Sequence, residues 1–221
     1  MRLLLLRHGQ THGNTVGALD TGFPGADLTD LGLQQAEAAA RVLGTTGITA
    51  IYTSNLVRTQ QTAAPLASSL NLEPIMLEGL REISAGDYEM ATDEASILGY
   101  VGTVADWIEG RLDPQMAGAE TGHAFLSRFD EAVAQIVAAG HETAVLVSHG
   151  AAIRTWVSNR ITDAGAHEMA SEGFHNTACI EVEGHPELGW SVLSWTPDPI
   201  GGAYLDDAAA PDPTGQSTDD V

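Results

Sequence analysis

Three short polar clusters in this chain carry side chains suited to phosphoryl chemistry. The first is Arg7-His8-Gly9, in which an imidazole stands between a guanidinium and a glycine. A neutral imidazole is a competent nucleophile toward phosphorus, and an adjacent fixed cation stabilises the charge that spreads over phosphoryl oxygens in the transition state. By itself, a histidine at the end of a strand is more often a structural donor. The cluster can nevertheless hold and attack a phosphoryl group.

The other two clusters supply further donors and positive charge. Arg58 follows Ser54-Asn55-Leu56-Val57, and His149 lies in Val147-Ser148-His149-Gly150. The helix predicted after His149 begins with free N–H groups, which favour an anion. A phosphomonoester needs its charge neutralised, a nucleophile in line on one side and an acid on the other. The arginines and histidines of these clusters can neutralise the charge, and Glu82 can be the acid.

The overall charge excludes several partners. The formal net charge is −21, and all nine basic residues are arginine. Such a charge repels a DNA or RNA backbone and an anionic membrane surface alike, and no arginine cluster exists to release counterions in compensation. The same field opposes a phosphate substrate, so a few arginines must create a positive pocket within a Debye length of about 8 Å. We therefore expect a small phosphorylated substrate as partner, with no nucleic acid and no membrane.

Length and composition indicate one soluble domain. The chain has 221 residues, 43% of them hydrophobic, and its only cysteine is Cys179. No apolar run approaches the roughly 20 residues that cross a bilayer, and a single cysteine gives no hint of an oxidising compartment. A cytoplasmic location is the simplest expectation. The remaining histidines lack the paired spacing of a zinc site, and no nucleotide-binding or serine-hydrolase motif is present, so we expect neither a metal nor a cofactor.

The elements that must position the clusters alternate between strands and helices. Apolar runs predict strands at residues 1–6, 48–53, 73–80, 143–147, 177–183 and 190–195. Helical spacing predicts helices at 30–43, from 54 or 55 to 67, at 121–139 and at 151–159, with Thr29 as the first cap and Ser54 or Asn55 as the second. This alternation favours an α/β fold, a three-layer α/β/α sandwich with a mostly parallel sheet. Ligands bind such sheets at the carboxyl ends of the strands, where the polar clusters fall.

The domain organisation follows from these patterns. Residues 1–197 form the predicted domain. Residues 83–127 form a helical insertion over the active site, in which 85–119 reads only as short helical pieces rich in glycine. Residues 198–221 are rich in Pro, Gly, Ala and Asp, and we expect a mobile acidic tail. The sequence leaves a homodimer through a sheet edge open.

A set of motifs in fixed order makes the clusters specific. The set comprises Arg7-His8-Gly9-Gln10-Thr11 with Asn14, Leu28-Thr29 with Gly32 and Gln35-Ala36, the run from Ser54 to Ala63, Leu80-Arg81-Glu82-Ile83 with Gly86 and Tyr88-Glu89, and Val147-Ser148-His149-Gly150 with Arg154. It resembles the histidine phosphatase superfamily, the branch that includes cofactor-dependent phosphoglycerate mutases and their phosphatase relatives. The resemblance covers roughly residues 1 to 195.

The resemblance implies a role for each matching position. His8 is the phospho-accepting nucleophile, and Glu82 protonates the leaving oxygen and then activates water. Three side chains bind the transferring phosphoryl oxygens: Arg7, Arg58 and His149. Further positions line the phosphate pocket or offer backbone N–H groups to it: Asn14, Thr21, Gly22, Gly150 and Ala151. Four charged residues stay outside the catalytic set: Glu89, Arg111, Glu120 and Arg128.

Three activities remain open. Mutases of this kind carry adjacent arginines after the catalytic glutamate, whereas residues 83–127 hold only Arg111. This difference favours a phosphomonoester hydrolase. A cofactor-dependent phosphoglycerate mutase is the alternative enzyme, and a catalytically silent phospholigand-binding module is the alternative from another class. The ester itself cannot be read from these residues.

Overall fold

A computed structural model describes residues 1–163 and 165–217 and, within them, places six strands in one sheet. The strands are β1 (Arg2–Arg7), β2 (Ala50–Thr53), β3 (Ile75–Met76), β4 (Thr143–Ser148), β5 (Cys179–His185) and β6 (Gly189–Thr196). Their order across the sheet is β3-β2-β4-β1-β5-β6. The first four in this order pair in parallel, and β5 pairs antiparallel with β1 and β6. The predicted mostly parallel sheet is confirmed, with an antiparallel hairpin at one edge.

The register brings the carboxyl ends of three strands level with one another. Val147 of β4 pairs with Leu6 of β1 on one side and with Thr53 of β2 on the other. The chain leaves all three strands within one or two residues of this point. His8 and His149 therefore emerge at the same edge of the sheet, next to the segment that leads to α3.

Helices cover both faces of this sheet. Within the described residues they are α1 (His12–Val16), α2 (Asp30–Leu43), α3 (Val57–Leu70), α4 (Glu94–Ile108), α5 (Gly122–Ala138), α6 (Gly150–Arg160) and α7 (Ala166–Ser171). Side chains alternate between the faces of a strand. Leu4 and Leu6 of β1 pack under α2 and α3, whereas Leu3 and Leu5 pack under α4 to α7. This arrangement is the predicted three-layer sandwich.

Several predicted boundaries need correction. Thr29 does cap α2, since its side chain accepts from the N–H of Gly32 at 3.0 Å. The predicted cap of α3 is wrong: the helix begins after Leu56, with no side-chain cap. The third strand is only two residues long, because residues Glu78–Leu80 form a 3-10 turn.

Helix α4 differs most from its prediction. It is one 15-residue helix where short pieces were expected. Two glycines lie inside this helix and weaken the helical pattern. One of them, Gly99, is needed for packing, because a Cβ at this position would collide with the ring of Tyr88. The helix is stabilised by burial of one face, which includes Val104 and Trp107. Tertiary packing therefore overrides local propensity here.

The chain beyond residue 197 packs against the domain, where a mobile tail was expected. Leu205 is buried, and its carbonyl oxygen accepts from the side chain of Gln35 at 2.8 Å. The N–H of Phe174 donates to the carbonyl oxygen of Gly215, also at 2.8 Å. These contacts use backbone groups, so a low apolar content does not predict them. Residues 218–221 of the expected tail lie outside the described residues.

Candidate active site

His8 follows the last residue of β1 and is held in one orientation. Its backbone N–H donates to the carbonyl oxygen of Ser148 at 3.0 Å, and its Nδ1 lies 2.7 Å from the carbonyl oxygen of Gly9. A carbonyl oxygen only accepts, so Nδ1 carries the proton of the neutral ring. Nε2 is left with the lone pair. Burial, followed by the charges of Arg58 and Arg7, sets the pKa of His8 well below its usual 6.5. The ring is therefore neutral at pH 7 and can act as a nucleophile through Nε2.

Three side chains near this imidazole carry buried nitrogen atoms that lack a hydrogen-bond partner. Arg7 Nε, Arg58 Nε and Nη1, and His149 Nδ1 are buried and have no hydrogen-bond partner among the described residues. The rings of His8 and His149 lie 5.2 Å apart between centroids. A buried donor without a partner costs about 1–3 kcal/mol, so such a group needs an explanation. An anion seated against His8 would accept from these groups at once.

Arg58 lies in the first turn of α3 and is almost fully buried. Its Nη2 donates to the carbonyl oxygen of Asp20 at 2.9 Å, and its Nη1 lies 3.7 Å from the carboxylate of the same residue. Burial lowers the pKa of Arg58, and the charges of Asp20 and Glu82 act against this shift. The guanidinium remains a cation, because the usual pKa of arginine is above 12. The contacts with Asp20 leave Nε without a hydrogen-bond partner among the described residues.

His149 is oriented by a residue that the sequence placed in another role. Its Nε2 lies 2.8 Å from Oγ of Ser54, and that Oγ accepts from the N–H of Leu56 at 3.2 Å, which leaves the hydroxyl proton to be donated to Nε2. Ser54 was expected as a helix cap. Burial, the charge of Arg58 and the neighbouring His8 lower the pKa of His149 well below 6.5. With the Ser54 hydroxyl donating to Nε2, the proton of this neutral ring is on Nδ1, a buried donor without a hydrogen-bond partner among the described residues.

Glu82 sits at the N-terminus of α6. Its Oε1 accepts from the N–H groups of Ile83 and Ala152, both at 2.8 Å, and its Oε2 accepts from the N–H of Ala151 at 3.3 Å. Burial raises the pKa of Glu82, and the Ile83 contact and the charge of Arg58 partly offset this shift. The carboxyl group can therefore hold a proton at a higher pH than an exposed glutamate. Since the N–H of Ala151 is used here, that residue supports Glu82 where it was expected to bind substrate.

The loop that carries Glu82 is fixed by Arg128. Its Nη1 donates to the carbonyl oxygens of Gly79 and Arg81, both at 2.8 Å, and its Nη2 donates to that of Glu82 at 2.9 Å. The guanidinium also pairs with Glu120 at 2.6 Å. Arg128 and Glu120 thus act through the backbone of the loop. Their spacing in the sequence gives no signal of this, because the contacts are with main-chain atoms.

The expected pocket residues Thr21 and Gly22 bind a carboxylate of the protein itself. Their N–H groups donate to Oε1 of Glu89 at 3.0 and 2.9 Å, and the hydroxyl of Thr21 donates to Oε2 at 2.5 Å. Both backbone donors are occupied. Thr21 and Gly22 therefore hold Glu89 in this structure.

Asn14 and Gly150 lie on the other side of Arg7. The side chain of Asn14 donates to Oδ1 of Asp212 at 2.9 Å. A Cβ at Gly150 would collide with the backbone of Thr214 and press on the guanidinium of Arg7. Glycine is required here because the chain beyond residue 197 approaches this closely. Gly150 thus lies next to Arg7, Asn14 shares the carboxylate of Asp212 with it, and both contact a segment that was expected to be mobile.

Two further observations concern the described residues as a whole. No cluster of three or more His, Cys, Asp or Glu side chains within them could hold a metal ion. None of their helices combines the length and the apolar character that crossing a bilayer requires.

The fold and the site can now be compared with known proteins. Residues 3–197 match the family described as the histidine phosphatase superfamily (branch 1), and the chain belongs to this superfamily. The family and fold expected from the sequence are confirmed. A solved structure of mycobacterial glucosyl-3-phosphoglycerate phosphatase with VO3 is similar to this fold, with a TM-score of 0.74 and 31% identity over 88% of this chain and 98% of that chain.

Two curated relatives come from Mycobacterium tuberculosis. The PE-PGRS family protein PE_PGRS11 is 38% identical over 216 residues, which make up 90% of this chain and 37% of that protein. The glucosyl-3-phosphoglycerate phosphatase is 31% identical over 210 residues, which make up 89% of this chain and 92% of the relative. This chain therefore spans just over a third of the first relative and nearly all of the second.

Proposed function

We propose that this chain hydrolyses phosphomonoesters of small metabolites through a phosphohistidine on His8. The observation that carries the proposal is the set of buried nitrogen atoms without hydrogen-bond partners on Arg7, Arg58 and His149, three side chains that lie near His8. The family membership and the phosphatases among its relatives support the same class of reaction.

In the first half-reaction His8 Nε2 attacks phosphorus. Arg7, Arg58 and His149 donate to the equatorial oxygens and stabilise the charge that develops on them. The bond between phosphorus and the ester oxygen breaks as the P–N bond forms. Glu82 in its protonated form gives its proton to the leaving oxygen, so the alcohol departs neutral.

In the second half-reaction Glu82, now a carboxylate, takes a proton from water. The water oxygen attacks phosphorus, the P–N bond breaks, and inorganic phosphate leaves His8 neutral and Glu82 protonated. The raised pKa of Glu82 suits both roles, because a carboxyl that titrates nearer neutrality can give and take a proton within one cycle.

The mutase alternative is weakened by Arg111. It is the only basic residue within 83–127, and its guanidinium pairs with Asp106 and Glu109 on an exposed surface. Its positive charge is therefore compensated twice. This insertion therefore offers little positive charge to bind a second anionic group of a substrate. The lack of such a site favours transfer of the phosphoryl group to water.

The proposal extends to the setting of the enzyme. A single buried cysteine, Cys179, suits the cytoplasm, and a net charge of −21 disfavours nucleic acids and anionic membranes as partners. A homodimer through a sheet edge stays a prediction, which sedimentation of the purified protein would test.

A phosphate-release assay on a panel of phosphomonoesters tests the function. We expect the wild type to release phosphate from at least one ester and His8→Ala to release none. His123→Ala is the matched control, because that side chain is 67% exposed and pairs only with Asp113 at 3.4 Å. Equal release by His8→Ala, or none by the wild type, contradicts the proposal. Conversion of 3-phosphoglycerate to 2-phosphoglycerate with a bisphosphate primer would establish the mutase, and phosphate binding without release would establish the silent module.

A further inference from the structure

The segment beyond the family match reaches the back of the active site. The match ends at residue 197, yet Oδ2 of Asp212 lies 2.5 Å from Nη2 of Arg7. Its other oxygen accepts from the side chain of Asn14 at 2.9 Å. The hydroxyl of Thr214 lies within hydrogen-bond distance of both, at 3.0 Å from Arg7 Nη2 and 3.1 Å from Asp212 Oδ1. One carboxylate thus bridges two residues that the sequence assigned to the phosphate site.

A second buried arginine, which the reaction does not use, holds the same segment. Arg154 is 1% exposed. Its guanidinium donates to the carbonyl oxygens of Gln216 at 2.8 Å, Thr214 at 3.3 Å and Glu172 at 3.0 Å. Hydrogen bonds from a charged donor are stronger than neutral ones. The backbone that follows Asp212 is therefore fixed independently of Asp212 itself.

The carboxylate of Asp212 contacts only part of the Arg7 guanidinium. It contacts Nη2 of Arg7, whereas Nε of the same guanidinium has no partner. The unpaired atoms of Arg58 and His149 likewise have no contact with it. A carboxylate that imitated the substrate would pair with these atoms. Asp212 instead holds Nη2 of the guanidinium and leaves Nε available to a ligand.

We propose that Asp212 is a positioning residue for the proposed phosphoryl transfer, which holds Arg7 and Asn14 so that Nε of Arg7 faces the transferring phosphoryl group. The proposal rests on the function proposed above. An arginine side chain has many rotamers, and donors stabilise a transition state best when they are fixed beforehand. The negative charge of Asp212 opposes an anionic ligand in the ground state and in the transition state alike, so any gain at the transition state comes from the fixed guanidinium. Asp212 is therefore expected to favour the transition state and not the bound substrate.

Kinetics of the full-length chain test this role. We expect Asp212→Ala to lower kcat by about 10- to 100-fold, the usual cost of misplacing a catalytic group. KM should stay constant or fall, because the opposing charge is gone. Asp212→Asn should lie between wild type and Asp212→Ala, since its amide oxygen still accepts one of the two hydrogen bonds. Asp198→Asn is the matched control, an exposed aspartate of the same segment outside these contacts.

Inhibition separates positioning from a structural role. Vanadate adopts the five-coordinate geometry of the transition state, and inorganic phosphate resembles the ground state. We expect Asp212→Ala to weaken vanadate binding by the same factor by which it lowers kcat/KM. Phosphate should bind with unchanged or higher affinity. A folding defect would reduce the active fraction without changing either inhibition constant.

Several results would overturn the role of Asp212. They are an unchanged kcat in Asp212→Ala, a rise in kcat/KM together with tighter phosphate binding, or an unaltered vanadate constant. The last two would make Asp212 an inhibitory anion and a merely structural residue, respectively. Vanadate affinity can be measured by calorimetry without turnover, so this test does not depend on the proposed function. A wild type that releases no phosphate would reject the hydrolase function. The vanadate affinities of the wild type and Asp212→Ala would still decide the role of Asp212.

Discussion

The Nδ1 atom of His8 lies 2.7 Å from the carbonyl oxygen of Gly9. This contact assigns the proton of the neutral ring to Nδ1 and the nucleophilic lone pair to Nε2. The orientation of the nucleophile is thus set by the backbone of the adjacent residue. The reactivity of the site then depends on two protonation states, neutral His8 and protonated Glu82.

The pH dependence of kcat/KM follows from these two states. The pKa of His8 is lowered well below 6.5, so its neutral form persists as the pH falls through 6.5. The pKa of Glu82 is raised above 4.5, so its acid form declines as the pH rises above that shifted value. We expect activity on an alkyl phosphate to stay high below pH 6.5 and to fall toward alkaline pH. An acid limb centred at 6.5 or above would contradict the assigned state of His8.

Glu82→Gln should discriminate between leaving groups. An alkoxide needs a proton, so activity on an alkyl phosphate should fall by about 10²–10⁴. With p-nitrophenyl phosphate the first step needs little acid, and only water attack should slow. We expect a burst of nitrophenolate equal to the enzyme concentration, followed by slow turnover. Glu78→Gln, whose side chain is 76% exposed, is the control. Equal losses on both esters without a burst would remove Glu82 from this role.

Arg58→Ala should weaken transition-state binding. The variant removes the unpaired Nε and Nη1 and should lower kcat/KM by about 10²–10³, the usual effect of losing a fixed donor. Vanadate should bind more weakly in proportion. Arg41→Ala, on the exposed face of α2, should match the wild type. Wild-type vanadate affinity in Arg58→Ala would show that this guanidinium does not contact the phosphoryl group.

Arg128→Ala should reduce both stability and kcat. Its loss leaves Glu120 and three backbone carbonyls without their main partner, which costs on the order of 3 kcal/mol in the free energy of unfolding. Arg111→Ala is the control, since its ion pairs are exposed to solvent and contribute little to stability. Urea denaturation measures both variants. Equal stability of the two would mean that Arg128 does not hold the Glu82 loop.

The sequence predicted the parts of the site that lie directly beyond strands. Apolar runs end at His8 and His149, and parallel strands place such ends at one edge of a sheet. Arg58 could be placed because its helix follows the neighbouring strand. Local pattern was sufficient for these residues, since the backbone itself carries them to the site.

The remaining contacts depend on pairs distant in the chain. Glu89 takes the donors of Thr21 and Gly22, and Arg128 binds backbone carbonyls about 46 to 49 residues away. Asp212 lies 205 residues after its partner Arg7, in a segment with little apolar content. The spacing of apolar residues in the sequence does not predict such contacts, because they pair polar groups with backbone atoms or with buried charges.

Trapping the phosphoryl-enzyme tests the central claim most directly. Phosphohistidine survives alkaline quenching. The wild type and Glu82→Gln should therefore be mixed with an ester that the wild type hydrolyses, quenched in base and digested for mass spectrometry. We expect phosphate on His8, at higher occupancy in Glu82→Gln and absent from His8→Ala. Turnover without label on His8 in either protein, or label on another residue, would contradict it.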